Sequence, residues 1–151
     1  MRHPRHGAPR AVIAAALRAL DSKGVKVKRI SRIIDSAPIG PSLRRYANAA
    51  AVVKTALDPP DLLARLHHIE ARFGRKRRGT AWRARVLDLD VVMWSGGAWA
   101  SPGLIVPHVE FRQRRFVLGP ASTVALGWRD PVTGFTLRQL HARLTRPRPL
   151  P

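Results

Sequence analysis

The sequence predicts an α+β domain, with helices packed on a largely antiparallel sheet. Three observations carry this. Apolar residues recur at helical spacing near the start and again after residue 58, and two short helical stretches close the chain. Alternating or β-branched stretches lie between them. The order is helix, two strands, helix, strand, then two helices, so neither element type is segregated to its own half of the chain.

The first helix rests on Ile13, Ala16, Leu17 and Leu20, which share one face. Pro9 suits its first turn and Gly24 follows its end. The same region has the look of a targeting segment, with Arg2, Arg5 and Arg10 ahead of an apolar run. That run is short, Arg18 closes it, and no convincing cleavage site follows, so a helix is the preferred reading. Val25, Val27, Ile30 and Ile33-Ile34 alternate with Lys26, Lys28 and Arg32 as in a half-buried strand. Pro38-Ile39-Gly40-Pro41 is a turn-rich loop. Residues 46–55 read as one second strand, ending in β-branched Val52, Val53 and Thr55. Asp58-Pro59-Pro60-Asp61 opens the second helix with a capping carboxylate and proline in the first turn. Leu62, Leu66, Ile69 and Phe73 fall on its face, and Gly74 stops it. Residues 75–85 form a basic loop, 86–94 a strand and Gly96-Gly97 a turn. Residues 112–125 and 135–144 read as two short helices.

The chain's 151 residues fit a single domain over residues 1–144, with a Pro/Arg-rich tail at 145–151. It has no cysteine, which removes disulfides, thiolate metal sites and a cysteine nucleophile, and is compatible with the cytoplasm. No stretch is apolar enough to span a bilayer. With 28 Lys+Arg against 9 Asp+Glu, the formal charge of +19 favours anionic partners: nucleotides, nucleic acid or an anionic membrane. Charge alone does not choose among them, and a solvated arginine-rich surface has the same composition.

The sharpest local feature is Leu87-Asp88-Leu89-Asp90-Val91. On a strand both carboxylates face one side while the apolar residues enter the core. Two such acids repel, and Mg2+, a hard cation, would offset the repulsion. The plainer reading is two solvated acids, or acids paired with arginines. Arg75, Arg77, Arg78, Arg83 and Arg85 lie just upstream, and Arg112, Arg114 and Arg115 follow. Carboxylates, Mg2+ and a ring of arginine forks are what phosphoryl transfer requires, although each arginine alone reads equally as a surface charge. His108 is structural or a donor to a phosphate. Trp82, in a polar loop, fits a lid over a flat ligand. Phe116 is core or a stacking platform. Tyr46 and Asn48 share a strand face, and the Asn amide suits a heterocycle edge.

Together these residues resemble the 6-hydroxymethyl-7,8-dihydropterin pyrophosphokinase family. The resemblance runs through Leu66-His67-His68-Ile69-Glu70, Phe73-Gly74-Arg75-Lys76-Arg77, Trp82, Arg85, Leu87-Asp88-Leu89-Asp90, Val106-Pro107-His108, Arg114 and Phe116-Val117-Leu118. Ala37-Pro38-Ile39-Gly40 and the segment from Tyr46 to Ala50 also fit, so it covers about residues 8–144. It implies a ferredoxin-like, three-layer α/β/α fold and diphosphate transfer from ATP to the pterin, releasing AMP, in folate biosynthesis. It further implies two Mg2+ ions on Asp88 and Asp90, and phosphate contacts from Arg75, Arg77, Arg85, His108 and Arg114. Leu63, His67, Glu70, Leu104 and Arg112 fall at ATP-side positions. Ile39, Tyr46, Asn48, Trp82 and Phe116 fall at pterin positions, with Arg85 and Trp82 on a mobile loop. ATP and the pterin are the expected partners and a monomer the expected state.

The sequence departs from the family pattern at two places. Family members begin with a central strand ending in Gly-Ser-Asn, for which Met1 leaves no room; the expectation is that the gene starts upstream. Trp82-Arg83-Ala84-Arg85 stands where the family commonly has Gly-Pro between Trp and Arg, a change that bears on the lid. Two rival readings remain: a basic nucleic-acid-binding protein, which leaves Asp88 and Asp90 unexplained, and a truncated, non-catalytic relative.

Overall fold

The computed structural model describes residues 3, 5–37, 45–74 and 86–150. The architecture is α+β, as the sequence predicts. Helix α1 spans Pro9–Leu20, with Pro9 in the first turn and Val12, Ala15, Ala16 and Leu20 buried. Strand β1, Val25–Ile30, pairs antiparallel with β4, Ala51–Thr55. Strand β2, Ile34–Ser36, pairs antiparallel with β3, Tyr46–Asn48. Helix α2 spans Pro59–Arg72, and the Asp58 carboxylate caps it by accepting from the Asp61 N–H at 2.9 Å. Gly74 follows at φ 90°, a left-handed conformation that glycine alone adopts without strain.

Three expectations need correction. The single strand expected at 46–55 is two strands, because Ala49 and Ala50 step the chain from one ladder to another. The Ser31 hydroxyl accepts from the Ala50 N–H at 2.9 Å, and the Ser31 N–H donates to the Ala50 carbonyl at 2.9 Å. The helix expected at 112–125 is a 3-10 turn, Phe111–Gln113, followed by α3, Arg115–Val124, with an extended Arg114 (φ −106°, ψ 105°) between them. Residues 86–94 belong to no ladder among the described residues, apart from an isolated bridge between Trp94 and Gly97. Single bonds hold this segment instead: the Leu89 N–H donates to Glu70 Oε1 at 2.8 Å, and the Val92 carbonyl accepts from the His108 N–H at 2.9 Å. Its side chains still alternate, with Leu87 and Val91 buried and Asp88 and Asp90 exposed.

The remaining elements are a hairpin and a closing helix. Strands β5, Trp99–Ser101, and β6, Leu104–Val106, turn at Gly103 (φ 77°). Helix α4, Leu137–Thr145, starts with a capping box made by Thr136 and Gln139. Beyond it, residues 147–150 carry no helix or strand.

The buried side chains form two clusters. One gathers α1, α2, Val25, β6 and the odd-numbered residues Leu87 and Val91. The other gathers Phe111, α3 and α4, with Val92 and Met93 packed against it. The segment 86–94 therefore runs between two cores and is wedged by both, which explains how it keeps an extended course without a ladder. Burying each large apolar side chain contributes about 1.5–3 kcal/mol.

Candidate active site

The site is assembled around the segment that carries Asp88 and Asp90. Both carboxylates line a cavity of about 340 Å3 that lies between the two apolar clusters and is also lined by Leu89, Val91, Val92 and Met93 of the same segment. Asn48, His108, Arg114 and Phe116 line the same cavity. A second cavity, of about 380 Å3, is lined by Leu63, His67, Asp90, Leu104, Ile105, His108 and Val109, among others. Both volumes lie in the range of small-molecule pockets. Asp90, Val91 and His108 line both cavities, so a carboxylate and an imidazole stand where they meet.

Each wall has a local cause. Glu70, with 0% exposure on α2, holds Leu89 by its backbone and so fixes the link between the two aspartates. Asn48 sits on β3, where its amide donates to the Ser36 hydroxyl at 2.8 Å across the strand pair. His108 Nδ1 accepts from the Glu110 N–H at 3.2 Å, which assigns the proton of the neutral ring to Nε2. That Nε2 is 4.0 Å from Asp90 Oδ2, so the imidazole presents a donor beside the carboxylates. Arg114 pairs with Glu110 one helical turn back, and its guanidinium lies 5.7 Å from the Phe116 ring centroid, within cation–π range.

The structure thus brings together Asp88, Asp90, His108, Arg114, Phe116 and Asn48 in one cavity, and Leu63, His67 and Leu104 with Asp90 and His108 in the other. Ile39, Arg75, Arg77, Trp82 and Arg85 lie outside the described residues. Three predicted residues stand elsewhere. Tyr46 is 41% exposed and in neither lining. Glu70 is behind the aspartates and not on the cavity wall. Arg112 also lines neither cavity; its Nε and Nη2 donate to Asp130 Oδ2 and Oδ1 at 2.6 and 2.8 Å. This pair lowers the Asp130 carboxyl from 3.8 to about 2, chiefly through the guanidinium hydrogen bond.

Sequence reasoning missed Ile105, Val109 and the hairpin that carries the second cavity's wall. The Pro102-Gly103 dipeptide, between apolar Trp99 and Leu104, was the available signal for that hairpin.

No group of three or more His, Cys, Asp or Glu that could hold an ion occurs among the described residues. Asp88 and Asp90 in one cavity nevertheless fit Mg2+, which takes one or two carboxylates and completes its shell with waters and substrate phosphates.

Comparison with known proteins decides the family. The model of the 7,8-dihydro-6-hydroxymethylpterin-pyrophosphokinase family matches residues 5–126. The chain belongs to this family. Among similar proteins is the 2-amino-4-hydroxy-6-hydroxymethyldihydropteridine pyrophosphokinase of Synechocystis sp., 37% identical over 117 residues, 78% of this chain and 60% of that one. The pyrophosphokinase of Pseudomonas aeruginosa is 37% identical over 125 residues, 82% of this chain and 76% of that one. The folate synthesis bifunctional protein of Arabidopsis thaliana is 36% identical over 106 residues, 70% of this chain and 22% of that one. The chain thus spans less than two thirds of the length of the Synechocystis and Arabidopsis relatives. No described helix is long and apolar enough to cross a membrane.

Proposed function

We propose that this chain transfers diphosphate from ATP to 6-hydroxymethyl-7,8-dihydropterin, with the pterin in the Asn48 cavity and ATP in the Leu63–His67–Leu104 cavity. The observation that carries the reading is that the two cavities share Asp90 and His108. Two substrates bound on either side would place their reacting ends at those residues, and holding them there removes much of the entropic barrier.

Asp88 and Asp90 would hold two Mg2+ ions, which when bound neutralise the phosphate charge. The His108 Nε2–H donates to a phosphate oxygen. Arg114 exchanges Glu110 for the phosphate, a charge-assisted contact of the same geometry. Arg75, Arg77 and Arg85 complete the cationic wall in this reading, and Arg112 does not. The Asn48 amide reads the pterin edge while Phe116 packs on its face, with Ile39 and Trp82 closing the pterin side. Leu63 and Leu104 receive the adenine. The hydroxymethyl oxygen forms a bond to the β-phosphorus as the bond from that phosphorus to the α-phosphate oxygen breaks. AMP leaves with the electron pair, and the hydroxyl proton passes to water. The reading takes the chain as a cytoplasmic monomer in folate biosynthesis.

Phosphorus NMR of the chain with Mg-ATP and the pterin tests this. The expected result is AMP and a pterin diphosphate in equal amounts. ADP or inorganic phosphate as the only product would overturn it, as would a folded chain that binds DNA or RNA and leaves ATP intact.

A further inference from the structure

The Arg112–Asp130 pair has no part in the chemistry above, yet it is densely bonded around a buried carboxylate. Asp130 has 0% exposure. Its Oδ2 accepts from Arg112 Nε at 2.6 Å and from the Thr133 hydroxyl at 2.7 Å. Its Oδ1 accepts from Arg112 Nη2 at 2.8 Å and from the Val132 N–H at 3.0 Å. Its backbone is held too, the N–H donating to the Phe135 carbonyl at 2.9 Å and the carbonyl accepting from the Gly134 N–H at 2.8 Å. The carboxylate is therefore an immobile anchor.

Arg112 is the tethered partner, at the centre of the turn that carries the cationic half of the site. The Phe111 N–H donates to the His108 carbonyl at 3.2 Å, and the Arg114 N–H to the Phe111 carbonyl at 3.4 Å. The Val117 and Leu118 N–H groups donate to the Arg114 carbonyl at 3.0 and 2.9 Å. His108, Arg114 and Phe116 thus hang on one chain of local bonds with Arg112 between them. Both bonds at the Arg114 and Phe111 amides are long, so the turn needs an outside tie to hold one shape. A guanidinium in two-pronged contact with a buried carboxylate supplies it, and a swing toward a nucleotide would leave a buried charge unpaired.

We propose that Arg112 and Asp130 form a positioning clamp that sets the His108–Phe116 turn in its phosphate-binding shape, Arg112 itself touching no substrate. The proposal rests on the function proposed above. It separates two roles for Arg112 that resemble each other in sequence: a direct ATP contact, or a support acting through Asp130.

A double-mutant cycle distinguishes them, with Arg112→Ala, Asp130→Asn and the double variant, and with Arg112→Lys as the milder change should Asp130→Asn fail to fold. The readouts are KM for ATP and for the pterin, kcat, and amide hydrogen exchange across residues 108–118. The clamp predicts that each single variant raises the ATP KM about tenfold, the scale of a misplaced contact group, and raises the pterin KM as well, because Phe116 hangs on the same turn. The double variant is no worse than the worse single one. Exchange accelerates equally in all three, and Arg112→Lys lies between them and the parent. Additive effects, or an ATP KM raised by Arg112→Ala and unmoved by Asp130→Asn, would overturn the proposal. If the parent chain itself forms no AMP, the proposed function fails. The clamp is then judged on exchange alone: equal acceleration supports it and unchanged exchange refutes it.

Discussion

The two halves of the candidate site are held by opposite means. The anionic half, Asp88 and Asp90, lies on a segment wedged between two apolar clusters and tied by the Glu70 carboxylate to its backbone. The cationic half, His108 and Arg114, lies on a turn tied by ion pairs, Arg112 to Asp130 and Arg114 to Glu110. With only 9 acids against 28 basic side chains, every acid matters for where it is placed. The comparison teaches that a strongly cationic chain secures its carboxylates for the cavity by packing, and secures its arginines by assigning them buried or neighbouring carboxylates. The first device is insensitive to salt and pH, whereas the second responds to both.

The comparison breaks most visibly at the carboxylates. The Asp88→Ala, Asp90→Ala double variant should lose at least about a thousandfold in turnover, as expected where metal charge neutralisation carries the transition state. Its thermal midpoint should stay close to the parent's, because both side chains are exposed. A large drop in stability would mean that they support the fold instead.

The cationic half should respond in the reverse manner. Arg112→Ala leaves the buried Asp130 carboxylate with Thr133 and Val132 alone and should cost about 3 kcal/mol of stability, measured by urea unfolding near neutral pH. The sign of the pH dependence follows from the lowered Asp130 value of about 2 against an ordinary 3.8. A depressed folded-state value stabilises fully above the ordinary one and loses that contribution as pH falls through the folded one. The gap between parent and Arg112→Ala should therefore be constant above about pH 5 and shrink between about pH 4 and 2. A gap that widens in acid would contradict the pairing.

His108→Ala, which removes the Nε2 donor, should lower kcat about a hundredfold with little effect on pterin affinity. Asn48→Ala should do the opposite, raising the pterin KM about tenfold and leaving the ATP KM alone. Equal effects of both variants on both substrates would mean that the two cavities do not separate them.

Much of this was legible in the sequence, and the failures have a common cause. The first-turn proline Pro9, the Asp58 cap, the alternation through Leu87 and Val91 and the two aspartates are local patterns, and local patterns survive folding. The family resemblance placed His108, Arg114, Phe116, Leu63, His67 and Leu104, and the described structure brings them to the two cavities. Arg112, which the resemblance puts on the ATP side, sits in a cluster with Arg114 and Arg115 whose members look alike. What separates it from them is Asp130, 18 residues on, and no local spacing encodes that partner. The bond of Glu70 to Leu89, 19 residues away, is likewise invisible to local spacing. The break at Ala49-Ala50 also depends on a distant group, the Ser31 hydroxyl. The missing ladder at 86–94 is a matter of tertiary pairing, which strand propensity does not determine.

The central claim is that the carboxylates and the shared wall of the two cavities carry a pterin-dependent reaction of ATP. The measurement that tests it most directly is AMP release from Mg-ATP, with and without 6-hydroxymethyl-7,8-dihydropterin, for the parent chain and the Asp88→Ala, Asp90→Ala variant, each shown to be folded by circular dichroism. The account predicts AMP only when the pterin is present, and none above background from the variant. AMP formation that ignores the pterin, or that survives loss of both carboxylates, would contradict it.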